Sequence, residues 1–241
     1  MHAHPMSPAT LALLSATVFL AAFVQGSTGI GFALIVVPVL GLLAPEQLPV
    51  CVLVLMLPLN CYVAWRERAG LDLRSGGWIT TGRIAGTFAG LWVLAALSAS
   101  GMNLLIGTAT LTAVVATMLM PAFTPTRGVY VAVGLITGVT ETATGIGGPP
   151  LALVYQHHPP AVMRSTIALC FLIGELLSLA LLWYTGHAQA SQMAGALQLL
   201  PALVTGALLS RLTQRRVNSR ILRLFVMVFS IASGAVLLLR A

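Results

Sequence analysis

Two stretches of this sequence set hydroxyl, amide and carboxyl side chains beside closely spaced glycines. One is Gln25-Gly26-Ser27-Thr28-Gly29-Ile30-Gly31; the other is Thr140-Glu141-Thr142-Ala143-Thr144-Gly145-Ile146-Gly147-Gly148-Pro149-Pro150. Thr28-Gly29-Ile30-Gly31 recurs as Thr144-Gly145-Ile146-Gly147, 116 positions on, and the same shift sets Gln25 opposite Glu141. The combination suits a small anion. Glycines let a ligand approach the backbone closely. A helix that starts just after such a break points free amides and the positive end of its dipole at the ligand. The candidate binding residues are therefore Gln25, Gly26, Ser27, Thr28, Gly29 and Gly31 in the first stretch. In the second they are Thr142, Thr144, Gly145, Gly147 and Gly148. Pro149 and Pro150 fit the first turn of a helix but withdraw two amide donors, which predicts a weaker cradle there. A kink that only packs helices is the plainer reading of either stretch alone; the matching pair argues for a site.

Glu141 and Glu175 both sit in apolar surroundings. An acid at membrane depth is a functional candidate by default. Two readings stand for each: a proton carrier coupled to anion movement, or a neutral acid that donates a hydrogen bond between helices. Equating Pro45 with Pro160 sets Glu175 opposite Asn60, so both acids would be amides in the first half. Asn60 and Arg83 are secondary site candidates. Arg83 lies about one and a half turns into its apolar run and reads first as a side chain that snorkels to the interface. Arg164 reads as a charge that sets orientation. His157-His158 has no metal-ligand companion and reads as a loop; Cys51, Cys61 and Cys170 lie in apolar runs without ligand spacing. No metal and no cofactor is expected.

The composition says what must position these residues. Of 241 residues 58% are hydrophobic and 7% are charged, against roughly 25% charged in soluble domains. The solvent must be a lipid bilayer. The net charge of +7 comes from twelve arginines, no lysine and five acids. The arginines fall between apolar runs, where orientation charges lie, which argues against nucleic acid. Six runs have the length of one crossing: Leu48–Trp65, Trp78–Leu97, Met102–Met120, Val162–Tyr184, Met193–Leu212 and Ile221–Leu239. Pro8–Leu43 and Gly128–Tyr155 are each interrupted by one of the glycine stretches. The run Leu11–Val24 reads as a first membrane segment, not as a cleaved leader.

The fold class expected is an all-α integral membrane protein of about 8–10 segments. It holds two inverted repeats, each a broken or V-shaped helical hairpin followed by three transmembrane helices. The repeats are 1–120 and 128–241, joined by a cytoplasmic linker at 121–127, within one structural domain. Gly86 and Gly90 fall opposite Gly206 and Ser210, and Gly82, Gly86 and Gly90 form a close-packing stripe. The positive-inside rule puts loops 66–77, 121–128, 157–164 and 211–223 in the cytoplasm and both termini outside. The two V tips then enter from opposite faces and meet near the middle.

Gln25–Pro38 (QGSTGIGFALIVVP) and Gly138–Leu153 (GVTETATGIGGPPLAL) resemble the duplicated signature of the TauE/SafE sulfite exporter family, the sulfonate-uptake permease group. Asn60 with Arg66–Arg74 (RERAGLDLR) is similar to its first cytoplasmic loop. The first signature departs from the usual form with Phe32 and Ala33 where glycines are frequent. The resemblance covers nearly the whole chain. It implies a bacterial inner-membrane secondary transporter, not an enzyme, for sulfite, a sulfonate or another sulfur-containing organic anion. Proton coupling rests on the two acids at depth and not on the resemblance, and a homodimer is left open. An anion channel with the same central site is the rival, and a membrane-embedded enzyme a more distant one.

Overall fold

Each of the six uninterrupted runs folds as one helix, and each interrupted region as two. The computed structural model describes residues 7–119, 124–213 and 219–240. Arg215, Arg216, linker positions 121–123 and the chain ends at 1–6 and 241 lie outside the described residues. The helices are α1 (Pro8–Thr28), α2 (Phe32–Leu43), α3 (Val50–Arg66), α4 (Leu73–Ala96), α5 (Ala99–Leu119), α6 (Arg127–Thr144), α7 (Gly148–Tyr155), α8 (Pro160–Tyr184), α9 (Ala190–Thr213) and α10 (Ser219–Leu239). Among the described residues, α1, α4, α8 and α9 are long and apolar enough to cross a membrane, and shorter apolar helices accompany them. Trp92, Leu104, Trp183, Leu197 and Leu212 are exposed on the helix surfaces, as a lipid solvent demands. The chain is a helical membrane protein.

The breaks are shorter than the sequence predicts. Gln25–Thr28 and Thr140–Thr144 are the closing turns of α1 and α6, and only residues 29–31 and 145–147 leave the helix. Nothing before Gly29 or Gly145 obliges the chain to turn. Each of these glycines adopts the left-handed conformation, φ +87° and +86°, that ends a helix. The Gly29 amide donates to the Gln25 carbonyl and the Gly145 amide to the Glu141 carbonyl, each at 2.7 Å. The hydroxyls of Thr28 and Thr144 accept from the amides of Ile30 (3.4 Å) and Ile146 (3.2 Å). The duplicated sequence makes a duplicated helix end, although the matched Gly31 and Gly147 differ, with φ +119° and −127°.

The V shape holds, with unequal arms. α1 has 21 residues, about 30 Å at ~1.5 Å per residue, and α2 has 12. α6 has 18 and α7 only 8. The end of α7 returns to the start of α6, where Tyr155 lies 6.1 Å from Tyr130 between ring centroids. It also meets the start of α4 through a Tyr155–Ser75 hydrogen bond.

Packing between the two halves is reciprocal. α4 lies along α6 as α9 lies along α1; α3 on α9 matches α8 on α4; α2 on α10 matches α7 on α5; α3 meets α8 and α5 meets α10. Particular atoms repeat as well. A Cβ on Gly86 would strike the Leu135 carbonyl, and one on Gly206 would strike the Phe19 carbonyl. Gly90 lies against Thr142, and Ser210 against Gly26. These are the residue pairs that the two sequence shifts equate. Gly82, Gly134 and Gly138 bring α4 and α6 into backbone contact along their length.

Segments 66–77, 127–130 and 157–164 gather at one end of the bundle, while Arg240 closes α10 at the other. Arg164 Nε donates to both Glu67 oxygens (3.1 and 2.9 Å), Gly70 lies on the Ala161 backbone, and Arg127 stands over the Trp78 ring. At this end Asp72 caps α4. Burial pushes its carboxyl up, but hydrogen bonds from Ser75 and the Arg74 amide outweigh that and hold it below its ordinary value. At the other end the arginine-free loops meet, with Gln192 Nε2 donating to the Glu46 carbonyl at 2.8 Å.

Candidate functional site

The polar turn at the first break and the start of the arm after the second break bound one cavity. It has a volume of about 180 Å³, and Thr28, Ile30 and Gly31 line it on one side, Gly148 and Pro149 on the other. The first turn of α2 contributes Ala33 and Leu34, and exposed Gln156 marks its mouth, next to the arginine-bearing end. The tips do not meet point to point at mid-depth, as the sequence alone suggests. Gly29 lies against the stem of Arg164, near the arginine end, whereas Gly145 lies deeper, against Val37 and Val52. The long first arms carry each turn past the centre, so the cavity is framed by the flanks of the tips.

The two helix starts differ chemically. At α2 the Gln25 side chain turns back and its Oε1 accepts from the Phe32 amide at 3.0 Å. The Ala33 and Leu34 amides are first-turn donors that the helix itself leaves free. At α7 the following positions are Pro149 and Pro150, so Gly148 supplies the first-turn amide. A Cβ on Gly148 would meet nothing within 4 Å. The second cradle is therefore open but poor in donors, as the prolines predict.

Of the predicted binding residues, Gln25, Thr28, Gly31 and Gly148 line the cavity. The others do not line it and are used for packing or for the turns. Gly26 lies under Ser210, and Ser27 donates to Ser210 Oγ at 3.3 Å. Thr142 bonds Ser178 at 2.8 Å, and Thr144 donates to the Thr140 carbonyl at 2.7 Å. Gly29 and Gly145 make the turns, and Gly147 is pressed between Phe171, Thr137 and Glu141.

The largest departure from the sequence reading is Arg83. It does not snorkel: its side chain is 1% exposed and forms an ion pair with Glu141, itself 0% exposed. Glycine at 174 makes the room, since a Cβ there would overlap the guanidinium. The Phe171 ring covers the cation at 5.3 Å from Cζ to centroid. Glu175 completes the group; its Oε1 accepts from Asn60 Nδ2 at 2.7 Å. The equation of Glu175 with Asn60 thus joins two residues that touch where α3 crosses α8. The signal for the Arg83–Glu141 pair was present as one arginine and one glutamate, each lodged in an apolar helix.

A sequence model of the family Sulfite exporter TauE/SafE matches residues 14–237. The chain belongs to this family. Searches among characterised proteins and among solved structures return no match. Membership makes the chain a membrane transporter of the sulfite-exporter class, and the cavity between the breaks lies inside the matched region.

Proposed function

We propose that this family member is a secondary transporter that carries sulfite, a sulfonate or a related sulfur-containing organic anion through the cavity between its two breaks. The carrying observation is that the first duplicated turn, the free first-turn amides of α2 and the start of α7 at Gly148 border the same space. Glycine supplies close backbone approach, while the hydroxyl of Thr28 is spent on the Val24 and Ile30 carbonyls and holds the turn. The mouth beside Gln156 is at the arginine-bearing end, which the positive-inside rule assigns to the cytoplasm of a bacterial inner membrane. Both termini then lie in the periplasm, the two repeats (1–120 and 128–241) are inverted about the 121–127 linker, and the cavity faces inward. Export is the direction in which an inward-facing site loads first. Glu141 and Glu175 are the proton-coupling candidates.

The test is flux into proteoliposomes with a panel of labelled sulfite, thiosulfate, sulfonate and carboxylate anions, with and without an imposed pH gradient. The proposal predicts saturable uptake of at least one sulfur oxyanion, stimulated by counter-substrate. Unsaturable flux through single-channel openings would favour the channel reading, and no flux of any panel anion would overturn the proposal.

A further inference from the structure

A buried ion pair that served packing alone would have its spare donors and acceptors satisfied, because orphaned polar atoms are costly in a dry interior. The Arg83–Glu141 pair is not finished in this way. Nε and Nη1 of Arg83, Oε1 of Glu141 and Oε2 of Glu175 have no hydrogen-bond partner. The guanidinium also lies close to the cavity. Phe171, whose ring covers it, is itself a cavity-lining residue. One aromatic side chain separates the space between the breaks from a buried cation with unused donors.

We propose that Arg83 is an inner binding position for the transported oxyanion, that the Glu141 carboxylate occupies it as a substitute anion while the carrier is empty, and that Phe171 swings aside to admit the substrate. The proposal rests on the reading of the cavity as the substrate's route. A guanidinium presents a planar fork of N–H donors that suits sulfonate and sulfite oxygens as well as it suits a carboxylate. The two anions cannot share it, because like charges at contact repel strongly in a low dielectric. Entry of substrate therefore requires a proton from cavity water to settle on the Glu141 carboxyl, while the Arg83 donors pass to the substrate. The cation keeps one anionic partner throughout, so no step leaves a bare charge in the membrane interior. The titratable groups that act on the guanidinium are Glu141 from α6 and Glu175 and Cys170 from α8; Asn60 of α3 reaches the cluster through Glu175. Glu175 is tethered by that amide, which leaves Glu141 as the direct competitor.

Equilibrium binding of a labelled sulfonate to the purified full-length protein tests this, since a sulfonate keeps its charge across the pH range used. Wild-type affinity should weaken by about tenfold per pH unit on the alkaline side, the slope of one linked proton. Glu141→Gln should bind at the tight, acidic-limit affinity with no pH slope. A Glu141→Gln protein that keeps the wild-type slope, or binds no sulfonate, overturns the proposal. Phe171→Leu leaves the ion pair in place and stands in should Glu141→Gln fail to fold. It should bind several-fold faster with the slope intact, and an unchanged binding rate overturns the gate. Wild-type binding with unresponsive variants sinks only this inference, whereas wild-type protein that binds no panel anion sinks the transport reading with it.

Discussion

The two breaks share a helix-ending turn, part at Gly31 (φ +119°) and Gly147 (φ −127°), and differ in charge. Both end a helix on a left-handed glycine and both tie the next amide to a threonine hydroxyl; the first turn and the start of the arm after the second border the same cavity. At the repeat position that precedes the turn, however, Gln25 folds back onto its own second arm, while Glu141 turns away to Arg83. The arm after Gln25 keeps its amides; the arm after Glu141 opens with two prolines. The duplication preserved the turn, because any other residue at φ near +87° is strained. It released the chemistry, because a neutral cap in one half suffices to hold a helix start. One break then leaves first-turn amides at its second arm, and the other carries a glutamate paired with Arg83.

The largest effect should come from separating that charge from its partner. Arg83→Gln strands Glu141 in a dry interior, which costs about 3–5 kcal/mol, and transport should be lost; thermal unfolding in detergent and flux check the two parts. The double variant Arg83→Leu with Glu141→Leu should recover most of the stability without recovering flux. Recovery of both would show that the pair only packs.

The second contrast concerns the glycines that the repeat equates. Gly86→Ala and Gly206→Ala each push a methyl into a carbonyl of the facing helix and should each destabilise by about 1–3 kcal/mol. Similar losses of melting temperature would support equivalent packing in the two halves, whereas a tolerant member would mark where the repeats have diverged. A smaller loss is expected at the cap. Gln25→Leu removes the acceptor of the Phe32 amide and should cost about 1 kcal/mol, read as faster hydrogen exchange at the start of α2. The smallest is expected at the partly exposed Arg164–Glu67 pair, which lies beside the first tip. Glu67→Gln should shift stability by no more than about 1 kcal/mol, with a loss that shrinks in high salt.

Much of this was legible in the residues. Composition required a bilayer, the apolar runs located the six uninterrupted helices, and the shift of 116 paired Gly29 with Gly145, which share a conformation. The extent of each break was not legible. Gln25 to Thr28 are polar, but polarity does not stop a helix; a positive φ does, and it is a property of the glycine. The burial of Arg83 was not legible either. An arginine near a helix end can snorkel or pair, and only the void at Gly174 and the position of Glu141 on the neighbouring helix decide for pairing. The depth of the tips depended on arm length. α1 is long enough to cross nearly the whole bilayer, which places its turn at the arginine end instead of the centre.

The account stands on the first break and the start of α7 bounding one anion site, and protection of cysteines placed on either side measures this directly. Ala33→Cys and Gly148→Cys, each in a background freed of Cys51, Cys61 and Cys170, put a thiol on opposite walls of the cavity. A transported sulfonate, inert to alkylating agents, should slow modification of both thiols with the same half-maximal concentration. Protection of one thiol alone, or of neither, in variants that still transport the sulfonate would contradict a shared site.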